Sequence, residues 1–210
     1  MNNPDFTVYV VDDDPGVLKA VARLLRAAGH HVATFSSARR FLDQHDPSVP
    51  GCLVLDLAMP DLGGLELQQL LAGAGETLPI IFLTGRGDVS STVRAMKQGA
   101  ADFLTKPVER AQLLQAVCAA ALRERANRQC QQEIGDIRRR LANLTPREYE
   151  VFEHVISGKL NKQTAADIGA AEKTVKVHRA RVMEKMNVES VAQLVRLADR
   201  AGIASPLVQS

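Results

Sequence analysis

The stretch Cys52-Leu53-Val54-Leu55-Asp56 decides the fold, because four consecutive apolar residues lead directly into a carboxylate. A short, uninterrupted apolar run is typical of a strand that is covered on both faces of a sheet. A turn containing Gly63 and Gly64 comes next, and an apolar helical pattern follows over residues 65–71. A strand followed by a helix is the repeating unit of a parallel α/β sheet.

The same unit occurs five times in residues 1–124. The predicted strands cover residues 7–11, 31–35, 52–55, 80–83 and 102–104. The helical patterns that follow them cover residues 15–28, 38–46, 65–71 and 89–98, with a fifth from residue 109 onward. The sequence therefore predicts an α/β domain with a five-stranded, doubly wound parallel sheet.

Polar residues stand directly after several of these strands. They are Asp12, Asp13, Asp56, Thr84 and Lys106. The carboxyl ends of neighbouring parallel strands line one crevice, so we expect these side chains to converge there. Carboxylate oxygens are ligands that Mg²⁺ prefers, and a bound cation relieves their mutual repulsion. We expect Asp56 to act as a nucleophile on a phosphoryl group, with Lys106 and Thr84 contacting the phosphoryl oxygens.

Charge is divided unequally along the chain. Residues 1–124 contain 11 Lys and Arg against 14 Asp and Glu, a net charge of −3, whereas residues 125–210 contain 15 against 10, a net charge of +5. An acidic front suits a metal or phosphate site, and a basic back suits a polyanion. No apolar run approaches the ~18 residues of a membrane span, and the N-terminus lacks a signal-peptide core, so we expect a cytoplasmic protein without membrane contacts.

Residues 125–143 differ in composition from the residues before them, because Gln, Arg, Glu and Asn dominate. We expect a charged helical linker there. Ile134, Ile137 and Leu141 form a thin apolar stripe at spacings of three and four. Two interpretations stay open: a solvated linker, or a stripe that forms a weak dimer contact.

Residues 144–210 read as an all-α domain of four helices. The expected helices run from Pro146 to Gly158 and over residues 162–168, 172–186 and 190–201. Thr145 and Glu148 make a capping box with a proline at the first helical position, which is a strong helix start. The second and third helices are joined by a three-residue turn that contains Gly169, an arrangement typical of a helix-turn-helix.

The third of these helices carries the candidate DNA contacts. The predicted DNA-binding residues are Lys173, Thr174, Lys176, Val177, Arg179 and Arg181. Val175, Val182 and Met186 share one helical face, so we expect them to pack inward. Lys176 and Val177 are placed to read base edges in a major groove, whereas the arginines and Lys185 suit phosphates or the domain surface.

Four motifs in the first half resemble those of the receiver domain of two-component response regulators. They are Val11-Asp12-Asp13-Asp14, Asp56-Leu57-Ala58-Met59-Pro60-Asp61, Thr84-Gly85 and Phe103-Leu104-Thr105-Lys106-Pro107. The resemblance covers residues 5–124 and implies a flavodoxin/CheY-like fold. It implies Asp56 as the phosphoacceptor, and a metal set formed by Asp56, Asp12, Asp13 and the carbonyl of Ala58.

The same resemblance implies a switch. Thr84 and Phe103 would form the switch pair, beside Lys106, with a cis peptide bond before Pro107. The aromatic residue is Phe rather than Tyr, so a hydroxyl contact in the switched state is absent.

Three motifs in the second half are similar to the LuxR-type helix-turn-helix. They are Leu144-Thr145-Pro146-Arg147-Glu148, Asn161-Lys162 and Glu172-Lys173-Thr174-Val175-Lys176-Val177-His178. With a receiver in front, the chain resembles regulators of the FixJ/NarL type. Ala171 stands where a serine cap is usual, at a cost of ~1 kcal/mol in helix stability. Ala170 stands where a large aliphatic is usual, so we expect looser packing in the turn.

These resemblances imply a non-enzymatic transcription regulator. A partner sensor histidine kinase would phosphorylate Asp56 with Mg²⁺ as cofactor, and the homodimer would then bind promoter DNA and engage RNA polymerase. Release of the DNA-binding half, rather than dimerisation, is an alternative switch. A phosphorylation-independent DNA-binding regulator is an alternative function. A haloacid-dehalogenase-like phosphatase is a weaker one, because Ala58 stands where such enzymes need a second Asp.

Overall fold

The structure, a computed structural model, describes residues 6–85 and 89–203. The chain divides into two compact units, Met1–Arg128 and Gln129–Ser210. Within the described residues, no helix has the length and apolar character needed to cross a membrane.

The first unit is built on a five-stranded sheet. Its strands are β1 Thr7–Val11, β2 His31–Phe35, β3 Gly51–Asp56, β4 Ile80–Thr84 and β5 Asp102–Thr105. Its helices are α1 Pro15–Ala27, α2 Ala38–Gln44, α3 Gly64–Gly73, α4 Val89–Lys97 and the first part of α5 Arg110–Ala142. All strand pairs are parallel, in the order β2-β1-β3-β4-β5. The predicted α/β fold with a doubly wound parallel sheet is confirmed.

Both faces of this sheet are covered by helices. Val54 belongs to a core that includes Leu25 of α1 and Leu113 of α5, whereas its neighbour Leu53 belongs to a second core with Leu67 of α3. Successive residues of a strand point to opposite faces, so a strand buried on both sides must be apolar throughout. This explains the uninterrupted apolar runs, and it leaves the strand ends as the place for polar chemistry.

In the second unit, the residues described up to 203 form four further helices. They are α6 Pro146–Ile156, α7 Asn161–Asp167, α8 Glu172–Met186 and α9 Val191–Arg200. Their core is formed by fully buried residues such as Phe152, Val182 and Leu194. The capping box at the start of α6 is present, because Thr145 N donates to Glu148 Oε2 at 2.9 Å and Glu148 N donates to Thr145 Oγ1 at 3.3 Å.

The segment expected as a linker differs from the solvated interpretation of its apolar stripe. Helix α5 is continuous through it, and the division between the units falls inside this helix, after Arg128. Ile137 and Leu141 are 3% and 8% exposed and belong to the core of the second unit. Two of the three stripe residues are therefore buried within their own unit rather than solvated, whereas Ile134 is half-buried. The domain limits at residues 124 and 143 stay a prediction.

Candidate metal centre and nucleic-acid interface

Three carboxylates meet at the carboxyl edge of the sheet. β1 and β3 are neighbours, with Val11 paired to Leu55 in the register, so the residues that follow them emerge side by side. Asp12, Asp13 and Asp56 each offer one oxygen, and these oxygens lie within 4.8 Å of one another. Asp12 and Asp56 are buried and Asp13 is exposed, so the cluster opens to solvent on one side.

Lys106 places its ammonium between the two buried carboxylates. Its Nζ lies 2.7 Å from Asp12 Oδ2 and 2.9 Å from Asp56 Oδ1. The backbone N–H of Lys106 donates to the carbonyl of Thr84 at 2.7 Å, which holds the lysine at the carboxyl end of β4. The peptide bond between Lys106 and Pro107 is cis, as the resemblance implied. Buried charges need such a partner, since an unpaired carboxylate away from water is costly.

The ionisation of this cluster depends on burial and on the ion pairs. Burial raises the pKa of Asp56, the hydrogen bond from Lys106 opposes this effect, and the net pKa lies above its ordinary value. Burial alone would lower the pKa of Lys106, but its hydrogen bonds to Asp12 and Asp56 outweigh this and raise it. When all four groups are ionised, three carboxylates face one ammonium. An oxygen-only site with excess negative charge fits a hard divalent cation.

The other predicted site residues are on β4, on β5 and in the turn after β3. Thr84 is buried at the end of β4. Its hydroxyl donates to the carbonyl of Gly85 at 3.0 Å, rather than to the carboxylates that pair with Lys106. Phe103 on β5 is half-buried and packs against the core that contains Leu53 and Phe82. Ala58 is exposed, two residues after Asp56 in the turn before α3.

Helices α7 and α8 form the helix-turn-helix of the second unit. The turn between them contains Gly169 with φ +65°, a left-handed conformation that glycine adopts without strain. Ala171 caps α8 without a side-chain hydrogen bond, in line with the missing serine cap. Val175, Val182 and Met186 are fully buried, which confirms the predicted inward face of α8.

The outward face of α8 presents most of the predicted DNA contacts. The exposed members are Lys173, Thr174, Lys176, Val177 and Arg181. Val177 is 46% exposed, unusually high for a valine and suited to a base edge. Lys176 forms an exposed ion pair with Glu172 at 3.1 Å, a contact that solvent screens and that DNA can displace.

Two basic side chains of α8 have partners inside the unit. Arg179 is half-buried and donates to Asn161 Oδ1 at 2.9 Å, so it links α8 to α7. Lys185 donates to Glu148 Oε2 at 2.6 Å and to the carbonyl of Asn143 at 3.0 Å. Arg179, one of the predicted DNA contacts, is thus half-buried, whereas Lys185 is exposed but paired within the unit.

Two family models match the chain. The response regulator receiver domain matches residues 8–118, and the luxR family of bacterial regulatory proteins matches residues 142–198. The transcriptional regulatory protein FixJ of Azorhizobium caulinodans is 42% identical over 197 residues, covering 94% of this chain and 93% of the relative. The chain is a two-component response regulator. It has a LuxR-type DNA-binding domain.

Other relatives of this response regulator share its whole architecture. Nodulation protein W of Bradyrhizobium diazoefficiens is 44% identical over 198 residues, covering 94% of this chain and 87% of the relative. The solved structure of response regulator StyR is 44% identical with a TM-score of 0.77, covering 93% of this chain and 99% of that one. Full-length FixJ from B. japonicum is 40% identical with a TM-score of 0.57, covering 94% and 98%.

Sequence reasoning missed two features of this response regulator. Asp14 does not join the neighbouring carboxylates, because its Oδ1 accepts from Gly16 N at 2.7 Å and caps α1. The sequence signal for this is Asp, a preferred N-cap residue, directly before Pro15 at the first helical position. The bond between Asn161 and Arg179 has no local signal, since it exists only when the turn brings α7 against α8.

Proposed function

We propose that this response regulator is switched on by phosphorylation of Asp56, then dimerises and binds promoter DNA. The observation that carries the proposal is the buried Asp56 carboxylate, paired with Lys106 Nζ at 2.9 Å and flanked by Asp12 and Asp13. The chain resembles its relatives across both units, so a partner histidine kinase is the proposed phosphodonor. Its site of action is the cytoplasm, where kinase and promoter meet.

Mg²⁺ is the proposed cofactor. Asp12, Asp13, Asp56 and the backbone carbonyl of Ala58 would hold it, with water completing the octahedral set. When bound, it supplies positive charge that offsets the oxygens of the transferring phosphoryl group.

The residues of the chain carry the transfer itself. A carboxylate oxygen of Asp56 attacks phosphorus, forming an acyl phosphate, while the bond between phosphorus and the donor's imidazole nitrogen breaks. The imidazole keeps the electron pair of that bond and takes a proton from water. Lys106 lies close enough to follow the developing charge on the phosphoryl oxygens. Asp56 needs no proton transfer from the chain.

The proposed switch involves Thr84 and Phe103. The hydroxyl of Thr84, now donating to Gly85, would turn to the phosphoryl group and vacate space that Phe103 fills. This would reshape the surface formed by α4 and β5. Val93 and Met96 of α4 are 46% and 48% exposed, an apolar pair on a helix surface that suits a contact with a second copy.

Dimerisation would bring two copies of α8 to DNA. Their exposed basic faces would enter successive major grooves at half-sites about one or two helical turns apart. The excess positive charge of residues 125–210, +5, supports binding of a polyanion. RNA polymerase is the further partner that a promoter-bound regulator would engage.

Phosphorylation with acetyl phosphate and Mg²⁺ tests the proposal. The mass of the intact chain should rise by one phosphoryl group, and Asp56→Asn should abolish the change. Asp61→Asn is a matched control, because Asp61 is an exposed carboxylate in the same loop and its φ of +69° is one that Asn tolerates. Labelling of Asp56→Asn at the level of the parent would refute the assignment.

DNA affinity is the second quantity to measure on the same phosphorylated samples. Duplexes selected from a random library should bind the phosphorylated parent more tightly than the unphosphorylated chain. Equal affinity in the two states would favour a phosphorylation-independent regulator.

A further inference from the structure

The described side chains of helix α4, residues 93–97, are mostly exposed. Ala95 is buried, whereas Val93, Arg94, Met96 and Lys97 are exposed. A segment with one buried side chain in five has a low free energy of local opening, so residues 93–97 can change position at little cost.

The C-terminal end of α4 is different, because two side chains from other helices bind carbonyls of its last turn and of the three residues that follow it. Gln68 of α3 is 5% exposed, and its Nε2 donates to the carbonyls of Ala95 at 3.4 Å and Gln98 at 3.2 Å. Arg123 of α5 donates to the carbonyls of Gly99 at 3.2 Å and Ala100 at 3.5 Å.

These bonds lie at the negative end of the helix and in the turn that follows it. Carbonyls there carry negative partial charge, so an amide and a guanidinium stabilise them. The chain also closes this end on itself, because Gly99 N donates to Met96 O and Ala100 N donates to Ala95 O. The C-terminal end of α4 is therefore fixed to α3 and α5.

The opposite end of α4 follows the acidic site in sequence. Thr84 ends β4 beside the site, and Val89 begins α4 five residues later. A displacement of Thr84 therefore acts on the N-terminal end of the helix, while Gln68 and Arg123 hold the other end.

We infer that α4 turns about a fixed C-terminal end, held by Gln68 and Arg123, when the first unit is phosphorylated. This inference rests on the proposed function, because it describes how the dimer surface is set. Gln68 and Arg123 are positioning residues: they contact the backbone at the end of α4 and not the phosphoryl site. Because one end of α4 is fixed, Val93 and Met96 can move in only one direction. The dimer surface of the phosphorylated chain then has a single arrangement.

Amide hydrogen exchange on the full chain, with and without acetyl phosphate and Mg²⁺, tests the pivot. The amides of residues 98–100 should exchange at rates that agree within about twofold in the two states, whereas those of Val93 and Arg94 should change severalfold. A change at residues 98–100 as large as that at Val93 would overturn the inference.

Variants separate the pivot from simple stabilisation. Arg123→Ala should speed exchange at residues 98–100 and weaken the phosphorylated dimer by about fivefold, with Asp56 labelled as in the parent. Gln68→Met, which loosens the same end from α3, should act in the same direction. Asn127→Ala is the matched control, because Asn127 also donates from α5 to a loop carbonyl, that of Thr77 at 3.1 Å, but does not contact α4.

The outcomes distinguish the two proposals. If Arg123→Ala and Gln68→Met dimerise as tightly as the parent, the pivot is refuted while the proposed function stands. If the parent takes up no phosphoryl group, the proposed function fails. The anchoring of α4 is then still tested by exchange at residues 98–100 in unphosphorylated Arg123→Ala, where unchanged rates refute it.

Discussion

Glu148 shows how one side chain can serve several elements of the second unit. Its carboxylate is 2% exposed and accepts hydrogen bonds from Lys185 of α8 and from the backbone of Thr145 at the start of α6. The Lys185 hydrogen bond, followed by that of Thr145, lowers the pKa of Glu148 to about 2. The capping residue is thus also the ion-pair partner that joins α6 to α8.

The lowered pKa predicts how stability changes with pH. Glu148 stabilises the second unit fully above the ordinary Glu pKa of about 4.5, and this contribution is lost as pH falls towards about 2. Glu148→Gln should cost about 2 kcal/mol at pH 7 and flatten the acid side of the stability curve. Urea unfolding of the parent and of Glu148→Gln at several pH values from 6 to 2, followed by amide hydrogen exchange in α6, measures both the free energy of unfolding and its dependence on pH. An acid slope equal to that of the parent would contradict the assignment.

Asp13 is the exposed member of the carboxylate cluster, and its removal tests the metal site. Asp13→Ala removes one oxygen ligand of a site with few protein ligands, so Mg²⁺ should bind about tenfold more weakly. Labelling by acetyl phosphate should then need more Mg²⁺ to reach the parent's rate. Asp43→Ala, an exposed carboxylate on α2, is the control. Parent-like Mg²⁺ titrations for Asp13→Ala would show that this residue is not a ligand.

At the scale of elements, α8 divides its basic residues between two tasks. Its exposed face carries Lys176 and Arg181, whereas Arg179 and Lys185 hold the helix against the rest of the unit. A recognition helix needs both, because base contacts are specific only when the helix is held in one orientation.

Within the exposed face of α8, Lys176 and Arg181 are predicted to make different kinds of DNA contact, so their substitutions should have different effects. Lys176→Ala should relax sequence choice by ~1–3 kcal/mol at one base pair, because Lys176 is predicted to contact a base edge. Arg181→Ala should weaken binding to all sequences alike and reduce the salt slope by about one, as expected for a phosphate contact. Selection from a random duplex library and salt titrations measure the two effects. An unchanged sequence preference in Lys176→Ala would refute its role.

At the scale of the whole molecule, a switch by dimerisation and a switch by release of the DNA-binding half predict different results. If dimerisation is the switch, Met96→Glu should prevent dimerisation of the phosphorylated chain and leave Asp56 labelling intact, because a charge replaces an apolar residue of the α4 surface. Leu70→Glu is the matched control, since Leu70 of α3 is 51% exposed against 48% for Met96.

Sedimentation with and without phosphodonor measures this prediction. A phosphorylated parent that stays monomeric yet gains DNA affinity would exclude dimerisation as the switch and favour release.

The amino-acid sequence by itself determined the elements and the acidic site. Short uninterrupted apolar runs such as residues 52–55, each followed by a helical pattern, are typical of strands covered on both faces, and parallel strands bring their ends to one edge. Asp12, Asp56 and Lys106 therefore met as predicted, although about 50 residues separate each from the next. The capping box of Thr145 and Glu148 was equally readable, because a helix start is a local feature.

Only the tertiary structure decided which polar and apolar side chains pair across elements. Ile137 and Leu141 form a stripe that fits several partners, and packing assigned them to the core of their own unit. Arg179 reads as a DNA contact by charge alone, yet its bond to Asn161 withdraws it from the exposed face. Periodicity reports that one face of a helix is apolar or charged, but not which surface meets it, because that depends on contacts between residues far apart in sequence.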